Sequence, residues 1–245
     1  MIFELSDEIG FPDPRLGEED GFFAIGGDLS EERLLLAYEY GIFPWYSFKP
    51  EEYPQEMLEP KTGKPRVQWW CPMQRFVIFP SEIHISHSMR QMLNKAAEGE
   101  YKVTFNQAFE QVINQCGVIR EDEQGAWLGE DIKKAYTQLH KRGYAMSVEV
   151  WDKEENLIGG LYGVTMGKVF IGESMFSLKP SASKLALIAL ARVLSPMSGS
   201  LIDCQLETSH LKSMGGRYIP YEEYLKILHP GRENILPELE PIDEE

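Results

Sequence analysis

The sequence predicts an α+β fold, on three observations. Apolar residues recur at helical spacing in several separate segments. Two apolar runs, Met146–Trp151 and Leu157–Met166, flank the turn-forming stretch Asp152–Asn156 and read as an antiparallel hairpin. Helices lead into that hairpin, and a strand, a helix, a strand and a helix follow it, which is the pattern of an α+β domain.

Taken in order, Gly26-Gly27 breaks the chain ahead of a helix from Glu31 to Tyr40. Asp28 or Ser30 is its N-cap, and Leu34, Leu35 and Tyr38 fall at helical spacing. Gly41 supplies a C-cap and Pro44 bars continuation. Ser47 to Arg66, rich in Pro, Glu and Lys, reads as an exposed loop. From Val67 to Phe79 the chain turns apolar, and a boundary near Phe79 or Pro80 gives domains 1–79 and 80–232. Helices are expected over Ser86–Ala97, Asn106–Gln115 and Gly129–Arg142, ahead of the hairpin. After it come a strand at Val169–Ile171, an apolar helix at Ser183–Leu194, a strand at Leu201–Leu206 and a closing helix at Tyr221–Leu228. Residues 233–245 hold Glu238, Glu240, Asp243, Glu244 and Glu245 among prolines and read as a disordered acidic tail.

Composition narrows the function. A 245-residue chain with 43% hydrophobic and 26% charged residues can bury a sizeable core. No run approaches the roughly 20 apolar residues of a membrane span, and the start MIFELSDEIG lacks the basic and apolar regions of a signal peptide. These features point to the cytoplasm, and no exposed apolar face argues against a monomer. Cys71, Cys116 and Cys204 form no C-x-x-C pair, and no H-x-x-x-H spacing exists, so neither a disulfide framework nor a metal site is expected. His140 and His210 stand alone. A formal charge of −15 opposes broad nucleic-acid binding and confines any such contact to a local basic patch.

The segments AIGGDLSEERLLLAYEYGIFPWY, WWCP, GGLYGV, IGESMFS, ASKLAL and LIDCQ follow one another in register from about Phe11 to Leu228. Together they resemble the bacterial leucyl/phenylalanyl-tRNA–protein transferases. The resemblance implies a small N-terminal α+β domain followed by a GNAT-like domain with a mixed sheet. It also implies a reaction: Leu or Phe passes from aminoacyl-tRNA to proteins beginning with Lys or Arg, marking them for degradation. The donor ester is already activated, so no cofactor, metal or ATP is required.

Asp203 and Gln205 sit two apart on an apolar strand, so both side chains should address one face. The family places the matching pair at the reaction centre. Asp203 either orients and polarises Gln205, whose carbonyl takes the amine proton, or acts as the base itself; a strand-end Asp tied to backbone amides is the bland alternative. Glu173 completes the catalytic set as a holder of a cationic group, against a structural pairing with Lys184 or Arg192. The family's aminoacyl pocket corresponds to Leu161, Met175, Leu187, Leu190, Leu194 and Ile202; by pattern alone such a stripe is core. Trp45 and Trp127 match tryptophans that hold the terminal adenosine, whereas Trp69-Trp70 reads as structural. His84, His87, Arg90 and Lys95 are the candidates for tRNA phosphate contacts, in a stretch less basic than the family's, with His87, Gln91 and Gly99-Glu100, and read equally as solvated helix charges.

Two departures stand out. The Tyr46–Arg66 loop is longer than the family's usual connection, and Met146 replaces a His found in many members. The rival readings are an acyltransferase using acyl-CoA, a tRNA-dependent transferase with another acceptor, and an inactive binder of basic N-termini. For the first, Lys179–Lys184 makes a poor pyrophosphate turn.

Overall fold

The computed structural model describes residues 1–46, 53–124 and 129–232, the side chains of 120–124 excepted. Residues 47–52, Trp127 and the acidic stretch 233–245 lie outside the described residues.

Two sheets organise the molecule. The first is four-stranded: β1 (Phe3–Leu5), β2 (Phe22–Gly26), β4 (Gln68–Trp70) and β3 (Phe43–Pro44), in that spatial order. Helix α1 (Glu31–Glu39) packs beside it, with the Ser30 hydroxyl accepting the Arg33 amide and Glu31 and Glu32 in the first turn. Its end is set by Gly41 at φ 68°, where a Cβ would stand 2.9 Å from the Tyr224 ring.

The second sheet runs β11-β5-β10-β9-β8-β7-β6. Its members are β5 (Gln74–Ile78), β6 (Tyr101–Phe105), β7 (Ala145–Asp152), β8 (Leu157–Met166), β9 (Val169–Ser177), β10 (Leu201–Gln205) and β11 (Arg217–Pro220). Only the β9–β10 pair is parallel. Its crossover is α5 (Ala182–Leu194), the apolar helix the sequence predicts. The fold is therefore α+β with a mixed sheet. The apolar Val67–Phe79 run divides into β4 and β5, and β5 already belongs to the larger sheet.

Side chains alternate across this sheet, as the two-residue strand period requires. Val169, Ile171 and Leu201 face a core shared with α3 (Phe109–Gln124), α4 (Glu130–Lys141) and the first sheet. Phe170 and Ile202 face a second core under α5 and α2 (His87–Ala97). Met146, in place of the family's His, is partly buried against this second core, where a thioether needs no hydrogen-bond partner. The helix α6 (Ser209–Ser213) and closing helix α7 (Tyr221–Leu228) complete the chain.

Candidate active site

Strands β9 and β10 pair from Leu201↔Val169 to Asp203↔Ile171 and then part. Two bulges attend the parting. Glu173 has no partner between Gly163↔Gly172 and Tyr162↔Ser174, and Cys204 is passed over between Asp203↔Val77 and Gln205↔Phe76. A bulge bends a strand and re-aims its side chains, and here both open a cavity of about 620 Å³. The sequence's simple alternation of Asp203 and Gln205 therefore fails locally. Gln205 sits at φ 64°, with the Leu206 amide bonded back to the Cys204 carbonyl at 2.7 Å, a strained γ-turn-like geometry.

Asp203 is fully buried, as is Arg75 on β5. The Arg75 Nε donates to both Asp203 carboxylate oxygens at 3.0 Å, and Nη2 donates to the Gly41 carbonyl at 2.7 Å. The guanidinium lies 4.9 Å from the Phe43 ring centre and 4.8 Å from that of Tyr224. Burial opposes the Arg75 charge, but the Asp203 carboxylate, helped by Tyr224 and Cys71, holds its pKa above the ordinary value. The Asp203–Gln205 contact runs to the backbone: Oδ1 accepts the Gln205 amide N–H at 2.8 Å. The Gln205 side chain is turned by Glu173 instead, its Nε2 donating to Oε1 at 3.3 Å.

Glu173 is only 7% exposed and bonds neither Lys184 nor Arg192. It accepts from the Tyr38 hydroxyl of α1 at 2.7 Å and the Tyr136 hydroxyl of α4 at 3.0 Å, and those two hydroxyls also bond each other. Burial pushes the Glu173 carboxyl up to about 7 against the lowering pull of both tyrosines. Burial first, and then the Glu173 charge, holds both phenols well above their usual range.

The cavity brings together Trp45, Glu173, Asp203 and Gln205 with the apolar Leu161, Met175, Leu187 and Ile202. Leu190 and Leu194, predicted on the same wall, point into the second core instead. A cavity touches only part of an α-helix's circumference, and the rest of this stripe meets the sheet. His84, His87, Arg90 and Lys95 are all exposed and outside the cavity. Trp69 and Trp70 are buried, their indole N–H groups bonded to the carbonyls of Gly26 and Trp45 at 2.9 Å.

Sequence reasoning missed Arg75, Tyr38 and Tyr136 as site residues, since their partners lie 128, 135 and 37 positions away. It also missed His210 and Ser174 on the wall, where His210 Nε2 and Ser174 Oγ are buried without a hydrogen-bond partner among the described residues. Desolvation, then the nearby Lys184 charge, lowers the His210 pKa. Burial raises the Cys204 thiol pKa, which disfavours a thiolate on this wall. Among the described residues, no group of three His, Cys, Asp or Glu could hold a metal ion.

The model of the leucyl/phenylalanyl-tRNA protein transferase family matches residues 77–229, and that of its N-terminal domain matches residues 27–73. The chain belongs to this family. It is 46% identical over 225 residues to the leucyl/phenylalanyl-tRNA–protein transferase of Flavobacterium psychrophilum, spanning 91% of this chain and 98% of that one. The transferase of Syntrophus aciditrophicus is 47% identical over 228 residues, 93% of this chain and 87% of its own. That of Flavobacterium johnsoniae is 46% identical over 228 residues, 93% and 99% of the two chains. Among solved structures, L-PGS from Bacillus licheniformis has a TM-score of 0.39 at 10% identity, covering 84% of this chain and 63% of that one. Family membership makes this chain an aminoacyltransferase. The matches span the cavity walls from Phe43 to Leu211.

Proposed function

We propose that the cavity transfers a leucyl or phenylalanyl group from aminoacyl-tRNA to the α-amine of an acceptor protein beginning with Lys or Arg. The supporting observation is the Glu173–Gln205 pair at the edge of an apolar-walled cavity in a member of this family. Leu161, Met175, Leu187 and Ile202 receive the apolar side chain, which a wall of unpaired polar groups would penalise. Trp45 lines the cavity and is assigned stacking on the terminal adenine, and Trp127 is assigned the same role on the resemblance alone.

The attacking amine must be neutral. Because the Gln205 amide nitrogen faces Glu173, its carbonyl oxygen is free to accept an N–H from the incoming amine. Ionised Glu173 then takes the proton. The new C–N bond forms as the ester C–O bond breaks, and the proton taken up by Glu173 passes to the departing ribose oxygen. A carboxyl poised near 7 is well matched to that exchange at neutral pH. Asp203, spent on Arg75 and the Gln205 backbone, holds the bulge in shape and is a positioning residue. Ionised Glu173 is also the cavity's means of attracting a cationic N-terminus. A mixed sheet split at one parallel pair suits the GNAT-like reading, and a monomer working in the cytoplasm is the matching expectation. Among the described residues, no helix is long and apolar enough to cross a membrane.

The test is transfer of radiolabelled Leu from Leu-tRNA to peptides differing only in the first residue, Lys, Arg or Asp, without ATP or divalent metal. Label should reach the Lys and Arg peptides and vanish with Gln205→Ala. Failure with Leu-, Phe- and Met-tRNA at low salt would overturn the assignment.

A further inference from the structure

A chain with 24 Lys and Arg against 39 Asp and Glu needs a local exception to hold a polyanion. Lys133, Lys134, Lys141 and Arg142 bring positive charge together on and just past α4. Ile132, Tyr136 and Leu139 are the buried face of that helix. On the face turned away, Lys133, Lys134 and Lys141 join Asn114, Thr137 and Gln138 along a groove of about 350 Å³ between α3 and α4.

The groove's carboxylates are Glu110 and Glu130, and Glu130 is engaged by Lys133 at 3.1 Å. Asp131 is met by Lys64 at 3.5 Å and Glu31 by Arg142 at 3.3 Å. Lys134 and Lys141 are exposed and have no ion-pair partner among the described residues. The Lys64 contact also brings the end of the segment before β4, where Lys61 is exposed, to the start of α4. Helix α2 offers no such surplus. Arg90 and Lys95 are followed by Glu98 and Glu100, and Lys95 already faces Glu100 at 3.7 Å.

Position adds to charge. Tyr136, on the buried face of α4, belongs to the Glu173 ring, and Lys133 lies one helical turn before it, ~4.5 Å along the axis. Ile119 of α3 lines the cavity, and Asn114 of the same helix lines the groove. Helices α3 and α4 thus each carry residues of both the Glu173 cavity and the lysine groove.

We infer that the α4 groove, flanked by Lys61 and Lys64, is the phosphate-binding track for the tRNA donor. The inference rests on the aminoacyl-tRNA reading above. Contacts of this kind add affinity and salt dependence without reading sequence.

Two donors separate the track from the cavity: Leu-tRNA, and leucyl-adenosine, which carries the same ester without the phosphate backbone. Initial rates would be measured from ~50 to 200 mM salt for the unaltered chain, Lys134→Gln/Lys141→Gln and Arg90→Gln/Lys95→Gln. The α4 pair should raise KM for Leu-tRNA about ten-fold and flatten the log–log salt slope by about 2, one per lysine. Its kcat/KM for leucyl-adenosine should stay within about two-fold. An unchanged Leu-tRNA KM in the α4 variant would overturn the proposal, as would equal loss on both donors or a larger loss in the α2 pair. Unaltered chain that uses neither donor would remove the functional reading, and the track with it.

Discussion

At the residue scale, two carboxyl groups do different work because each sits in a different environment. Glu173 is buried among neutral donors, so its proton is held to about 7. If its ionised form takes the amine proton, kcat/KM for a pre-bound donor should rise through about pH 7, and Glu173→Gln should abolish that rise. A pH–rate profile that keeps its limb in the variant would assign the titration to another group. Asp203, by contrast, is buried beside a permanent cation. Asp203→Asn should cost roughly 3–5 kcal/mol, because it strands the Arg75 charge in the interior. Arg75→Met/Asp203→Leu should recover most of that stability in urea denaturation while leaving transfer lost, since the Gln205 turn has no anchor. Recovered activity in the pair would make Asp203 dispensable for positioning.

Elements decide how far a side chain's pattern can be trusted. The helix α5 stripe Leu187, Leu190 and Leu194 is regular, yet only Leu187 reaches the cavity. Truncating it should act on specificity. Leu187→Ala enlarges the wall, and the smaller leucyl group should lose about ten-fold in kcat/KM relative to phenylalanyl, as expected for one to two kcal/mol of lost contact. Leu190→Ala should instead cost about 2–5 kcal/mol in stability with the Leu/Phe ratio unchanged. Equal effects of the two on that ratio would refute the division. Strand β8 sets a tighter limit. A Cβ on Gly163 would collide with the Ile171 carbonyl and the Phe170 ring of β9, so Gly163→Ala should lower the thermal midpoint and shift the bulge that carries Glu173.

For the whole molecule, the same carboxyl predicts a pH dependence of stability. The Glu173 value of about 7 lies above the ordinary 4.5. The folded chain keeps this proton where the unfolded chain has lost it, so the stabilisation is complete below about pH 4.5 and is lost as pH rises through 7. Urea midpoints from pH 4.5 to 8 should show that decline in the unaltered chain and a smaller one in Glu173→Gln. Parallel curves would mean that the proton is not held there.

Local pattern determined much of this protein. The hairpin, the N-cap of α1, the apolar helix α5 and the closing helix follow from periodicity and capping chemistry, which act over a few residues. In-register motifs likewise fixed the family and pointed to Glu173, Asp203 and Gln205. Short strands such as β1, β3, β6 and β11 were not legible, because they gain their hydrogen bonds only from distant partners. Nor was Glu173 seen to sit within β9, since the bulge that re-aims it is set by pairing with β8. The Arg75–Asp203 pair and the Tyr38–Tyr136–Glu173 ring were decided by tertiary structure alone. Burial and hydrogen bonding between elements far apart in sequence have no local periodicity, and those two terms bring ordinary side chains together into the candidate active site.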